Sequence, residues 1–331
     1  MTTPPLEPFR VVALGGGHGL SACLSALRLL PTDTRATDVT AVVTVADDGG
    51  SSGRIRRELD VLPPGDLRMA LAAMAGDDEW GQTWERLLQH RFGGDGPLAG
   101  HAVGNLVLTA LAETTSGIVE ALDLVGRLVG ARGRVLPASI TPLEIVADVI
   151  GLDPSDPSAL TEVVGQVAVA TTAGMVCGLR VEPPHPPACT EAVEALMDAD
   201  FIVLGPGSWF TSVLTHFLVP DLREAIVKSP ATRVVALNLA AQSGETDGFS
   251  PETHLEVLAS HAPELDIDLV LADEAAVLDT RGLMSPGLAS LVQAAGGRLV
   301  LAPVAMDDGS ARHDPQKLAQ AYRSIMKAEA S

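Results

Sequence analysis

Seven short polar segments hold the residue types that chemistry needs, and most of them follow an apolar run. Residues 15–20 read GGGHGL, supplying Gly15, Gly16, Gly17, His18 and Gly19. Glycines let the backbone approach a phosphate, and a helix starting there offers unpaired N–H groups and a positive dipole end. A tight turn would use the same glycines for their dihedrals alone. Residues 46–54 read ADDGGSSGR, with Asp47 and Asp48 ahead of two glycines and then Ser51 and Ser52. Adjacent carboxylates suit a hydrated Mg2+, which takes few protein ligands and keeps several waters. The serines or Arg54 could contact phosphate oxygens, although a solvated Asp-Gly turn has the same composition.

The next segment, LPPGDLR at 62–68, adds the carboxylate of Asp66 on a stretch stiffened by two prolines. Asp66 joins the acidic set or serves as a helix N-cap. Arg68 opposes the dipole at that helix start, a small penalty that an anionic ligand would offset. GHAVGN at 100–105 sets His101 and Asn105 four residues apart, on one face if a helix begins early. In LGPGSWFTS at 204–212, Gly205, Gly207 and Ser208 could cradle a phosphate or nucleoside. NLAAQSGETDGF at 238–249 opens on Asn238, and GSARHDP at 309–315 supplies Arg312, which could clamp a diphosphate. No HExxH, CxxC or Walker lysine pattern occurs, which argues against zinc chemistry and P-loop phosphoryl transfer.

Positioning these segments falls to alternating strands and helices. Residues 11–14 read as a buried strand, and Leu20, Cys23, Leu24 and Leu27 recur at helical spacing until Pro31. Residues 39–46 form a second buried strand, 66–130 a helical region, with Gly76 a stop for its first helix. Residues 134–187 change character and read as a small β-rich insertion leaving through PPHPPA. Strands resume at 201–204, 234–239, 269–271 and 299–301, before a last helix from Pro315 carrying Leu318, Ala319, Tyr322 and Ile325 on one face. The expectation is one α/β domain over 1–331, a Rossmann-like, doubly wound, mostly parallel sheet with that insertion.

Hydrophobic residues make up 47% and aromatics 3%, so the core must be aliphatic. A formal charge of −20 argues against nucleic acid and against an anionic membrane surface. Cys23, Cys177 and Cys189 are widely spaced and suit reduced thiols. The start, MTTPPLEPFR, lacks a signal peptide's apolar stretch. A soluble, cytoplasmic protein is expected.

Taken in order, GGGHGLSACLSALR, TAVVTVADDGGSSGRIRREL, PPGDLR, QHRF, GHAVGNL, GRVLPAS, GQVAVATT, ADFIVLGPGSWFTSVL, NLAAQSGETDGF and RHDP resemble the gluconeogenesis-factor family, over residues 10–321. That family is related to the 2-phospho-L-lactate transferases, which share its fold and acidic metal loop. The resemblance implies a CofD-like fold, a cytoplasmic regulator needed for cell shape on gluconeogenic carbon, and affinity for UDP-N-acetylglucosamine. It also implies a Ser/Thr kinase as a partner, leaves room for a homo-oligomer, and places the transferases' metal aspartates on Asp47 and Asp66. His18 stands where many members carry Thr. The alternative function is a metal-dependent transferase acting on a nucleotide-activated substrate. A flavin-like ring would need an aromatic wall, for which Trp209 and Phe210 are the candidates, and the glycine loop by itself also admits an NAD-binding oxidoreductase.

Overall fold

The computed structural model describes residues 8–30, 36–242, 245–246, 248–277 and 286–329. In chain order its elements are β1 (Phe9–Gly15), α1 (Gly17–Arg28), β2 (Thr37–Val43), α2 (Gly50–Leu59), α3 (Gly65–Ala73), α4 (Glu79–Gln89), α5 (Val103–Thr114) and α6 (Ile118–Leu128). Then follow β3 (Arg134–Pro137), β4 (Glu144–Ile150), β5 (Thr161–Val164), α7 (Gln166–Ala170), β6 (Met175–Glu182) and α8 (Thr190–Met197). The last part holds β7 (Phe201–Leu204), α9 (Pro220–Lys228), β8 (Thr232–Ala236), α10 (Pro251–His261), β9 (Leu269–Asp273), α11 (Pro286–Ala294), β10 (Arg298–Ala302) and α12 (Pro315–Glu329).

Seven strands form one sheet in the order β10-β9-β8-β7-β1-β2-β3, with every pairing parallel. The strands are short aliphatic runs because a parallel sheet covered on both faces leaves no polar side. In β7 all four residues are buried, and in β2 the last three. α1 buries Leu20, Cys23, Leu24, Ala26 and Leu27, the stripe expected from the helical spacing. Trimming Leu24, fully buried, to Ala would cost about 2–5 kcal/mol. α1 ends at Arg28 with Leu29 as its C-cap, and Pro31 lies outside the described residues. α12 packs on α1, where Tyr322 and Cys23 are 3.4 Å apart.

Strand order decides where a ligand can sit. The chain runs outward from β1 through β2 to β3, then returns beside β1 and runs the other way from β7 to β10. The order therefore reverses between β1 and β7, the switch point at whose carboxyl edge open α/β sheets bind ligands. Leu14 is paired with both Val42 and Leu204, so the loops after β1, β2 and β7 leave the sheet side by side.

The β-rich stretch differs from the expected 134–187 boundary. β3 pairs in parallel with β2 and is the edge of the main sheet, so the added unit begins after it. That unit is a three-stranded antiparallel sheet in the order β5-β4-β6. Val167 and Val169, inside the stretch expected to be β-rich, lie on the short helix α7. Short valine runs carry both readings, and tertiary contact decides between them.

Candidate functional site

A cavity of about 790 Å3 opens at the switch point. Its floor is the turn from β1 into α1. Gly16 caps α1 without a side chain, so the N–H groups of the first helical turn have no intrahelical acceptor. Gly17 has φ of 56°, a left-handed conformation that favours glycine, and nothing lies within 4 Å of where its Cβ would be. A Cβ on Gly19 would lie 2.3 Å from the carbonyl oxygen of Pro206. The β1 and β7 loops thus touch backbone to backbone, and only a residue without a side chain allows it.

Of the residues singled out in the sequence, Gly16, Gly17, His18, Gly19, Asp47, Asp66, Gly207, Ser208, Asn238 and Arg312 line this cavity. Asp66 is not a helix cap. Pro64 holds that position, and Asp66 stands second in α3, buried, with its carboxylate accepting the Gly17 N–H. Burial, then the neighbouring Asp47, pushes the Asp66 carboxyl up to about 7. Asp47 packs where a Cβ on Gly65 would meet its Oδ2 at 2.6 Å, and a Cβ on Gly16 would meet Asp66 Oδ2 at 2.7 Å. Two glycines therefore make room for two converging carboxylates. No group of three His, Cys, Asp or Glu side chains forms a metal cage among the described residues. Two carboxylates with water completing the shell still fit Mg2+, which holds few protein ligands.

Other expectations need correction. Asp48, read as half of an adjacent acidic pair, turns away from the cavity and accepts the Val167 N–H of α7 at 3.0 Å. Ser51, Arg68 and Asn105 do not line the cavity; with His101 they form a buried network beside it. Asn105 Nδ2 donates to Ser51 Oγ at 3.0 Å, Arg68 Nε donates to Asn105 Oδ1 at 2.8 Å, and Ser51 Oγ lies 3.0 Å from His101 Nδ1. Arg68 also reaches Gln89, and burial and then Arg91 lower its guanidinium to about 10. Their polar groups are spent on one another because a buried polar atom must find a partner. His101 precedes α5, which starts at Val103, so the shared helix face is absent and Ser51 joins the two side chains instead. Arg54 is held by the carbonyls of Pro97 and Ala99.

Among the lining residues some polar groups are likewise committed. Asn238 Oδ1 accepts the Gly207 N–H at 2.9 Å and its Nδ2 donates to the Gly207 carbonyl at 2.8 Å, clasping the β7 loop. Arg312 pairs with Asp308 at 3.1 Å and points from the rim. Gly15 ends β1 opposite Val43, and Gly205 turns with φ of 73°; neither lines the cavity. Trp209 and Phe210 are buried and contribute no wall; among the described residues no Phe, Tyr or Trp lines the cavity.

Sequence reasoning missed Gln166, Gln242, Glu245 and His313, all of which line the cavity. Gln166 arrives on α7 and so belongs to the added unit. Burial lowers the His313 imidazole, which bonds to the Leu237 carbonyl. Glu245 stands inside the polar 238–249 segment and His313 beside Arg312, so their neighbourhoods were visible though their roles were not.

Comparison with known proteins agrees with this architecture. The family model described as 2-phospho-L-lactate transferase CofD matches residues 11–285. A relative from Mycobacterium tuberculosis bearing the gluconeogenesis-factor name is 53% identical over 310 residues, 93% of this chain and 88% of its own length. The gluconeogenesis factor of Listeria monocytogenes is 36% identical over 325 residues, 96% of this chain and 95% of its own. A crystal structure of a UPF0052-family protein from Bacillus halodurans superposes with a TM-score of 0.81 at 32% identity, covering 96% of this chain and 99% of that one. The chain belongs to the CofD family, among its members named gluconeogenesis factors.

Proposed function

We propose that the protein is a cytoplasmic regulator that binds a UDP-sugar, UDP-N-acetylglucosamine, in the switch-point cavity and serves cell-shape homeostasis on gluconeogenic carbon. The observation that carries this reading is the start of α1, where an uncapped helix and the open backbone at Gly17 face a cavity of about 790 Å3. Asp66 holds the Gly17 N–H, so a diphosphate there meets the His18 and Gly19 N–H groups and the positive helix end without needing a lysine. Among the described residues no Phe, Tyr or Trp lines the cavity, and that polar, ring-poor wall favours a sugar over a flavin-like ring. Calorimetry against UDP-N-acetylglucosamine, GDP and NAD tests it: tight binding of the first is expected, and tight NAD binding without UDP-sugar binding would sink it.

A second reading, a metal-dependent transferase, draws on the convergence of Asp47 with Asp66, whose carboxyl burial raises to about 7. Asp47 and Asp66 would hold Mg2+, which when bound supplies charge neutralisation to a diphosphate leaving group. The fold itself buries Asp66 and brings Asp47 beside it at the α1 turn. Product formation from a nucleotide-activated donor, lost in Asp47→Asn, would favour this reading over regulation alone.

A further inference from the structure

The side of the cavity formed after β8 differs chemically from the side formed by the acid pair. β8 and β2 lie three strand spacings apart, about 14 Å, with the α1 turn between them. On the β8 side, Glu245 lines the cavity while one of its oxygens, Oε1, is held by three donors. These are the Ser208 hydroxyl at 2.6 Å, the Phe210 N–H at 2.7 Å and the Thr211 N–H at 3.1 Å. Such a carboxylate is fixed in position, at 7% exposure, and does not swing to follow a ligand. Beside it in the same lining, Gln242 Oε1 is buried with no hydrogen-bond partner among the described residues. A buried acceptor without a donor is uncommon and calls for one from elsewhere.

Among the described residues no cation pairs with Glu245, so its carboxylate disfavours a phosphate, and the two acceptor oxygens favour neutral donors. We propose that Glu245 and Gln242 form a hydroxyl-recognising subsite that selects the polyol part of the ligand and keeps its diphosphate at the α1 turn. This inference rests on the nucleotide-sugar reading above. Both the ribose and the hexose of such a ligand carry hydroxyls, and the experiment separates them.

Calorimetry would compare UDP-N-acetylglucosamine, its 2′-deoxyuridine counterpart and UDP on the parent protein, Glu245→Gln and Gln242→Leu. Gln keeps one oxygen for Ser208, Phe210 and Thr211 and changes the other to NH2. The parent is expected to lose about tenfold or more in affinity for whichever analogue lacks the recognised hydroxyl, as for a hydrogen bond to a charged group. Loss with the deoxy analogue identifies the ribose, and loss with UDP identifies the hexose. In Glu245→Gln that discrimination should fall below about threefold, the weaker neutral hydrogen bond being worth less. Should Glu245→Gln not melt cooperatively, Gln242→Leu, which touches none of the three donors, is expected to narrow the same discrimination. Undiminished discrimination in a folded variant overturns the subsite. A parent that binds all three ligands equally overturns it while leaving nucleotide binding standing, and a parent that binds none overturns both.

Discussion

The Asp48 carboxylate accepts the backbone N–H of Val167 at 3.0 Å, joining two segments 119 residues apart. Through it the acidic loop after β2 seats α7, and α7 contributes Gln166, Val167 and Ala170 to the cavity wall. A Cβ on Gly165 would lie 2.3 Å from Asp48 Oδ2, so the glycine ahead of α7 is part of the same joint.

Replacing Asp48 by Ala should loosen that wall. A stability loss of about 1 kcal/mol is expected, the size of a lost helix-start acceptor, with faster amide exchange in α7 and weaker UDP-sugar binding. Hydrogen exchange by mass spectrometry reads it; unchanged protection of residues 166–170 would show the joint to be idle.

The acid pair predicts a pH slope in metal-free buffer. The folded Asp66 carboxyl sits near 7 against an ordinary 3.8, so between those values the native state holds more protons than the unfolded chain. Stability must therefore fall as pH rises from about 4 to 7. Asp66→Asn should flatten that fall, and added Mg2+ should reverse it in the parent protein. Urea midpoints at pH 5 and pH 8, with EDTA and with Mg2+, decide; a parent slope unaffected by either change removes the metal reading.

At Gly19 the prediction is steric. Alanine would place its Cβ 2.3 Å from the Pro206 oxygen and 2.4 Å from Gly207 Cα, both backbone atoms. Separating the loops should cost about 1–3 kcal/mol, as overpacking does, and weaken ligand binding. A Gly19→Ala protein with parental melting temperature and affinity would refute the close approach.

Asn105 is expected to matter for stability more than for binding. Asn105→Ala strips Arg68 Nε of its acceptor and Ser51 Oγ of a donor in a buried network. Leaving such groups unpaired costs about 1–3 kcal/mol, while UDP-sugar affinity measured on the folded fraction should stay within about threefold. A large affinity loss at unchanged stability would restore Asn105 to the ligand.

Much was legible from residues alone. Aliphatic runs closed by glycine and aspartate located β1, β2, β7 and the start of α12, because strand burial and helix entry are local signals. The same logic marked the glycines of the α1 turn and the pairing of Asp47 with Asp66 at one edge. What no local pattern contains is the direction in which a side chain turns once its neighbours arrive. Asp47 and Asp48 are adjacent and chemically identical, yet one faces the cavity and the other caps α7, because successive backbone positions point apart and α7 offers an N–H to only one. Ser51, Arg68 and Asn105 carry polar side chains of the kinds that could meet a ligand, and burial spent them on each other. Glu245 shows the converse: an unremarked acid becomes part of the wall because the β7 loop, 34–37 residues earlier, holds it with three donors. Residue type and spacing determined the scaffold and the glycine turn at the start of α1; hydrogen-bond competition in the folded interior decided which polar groups face the cavity.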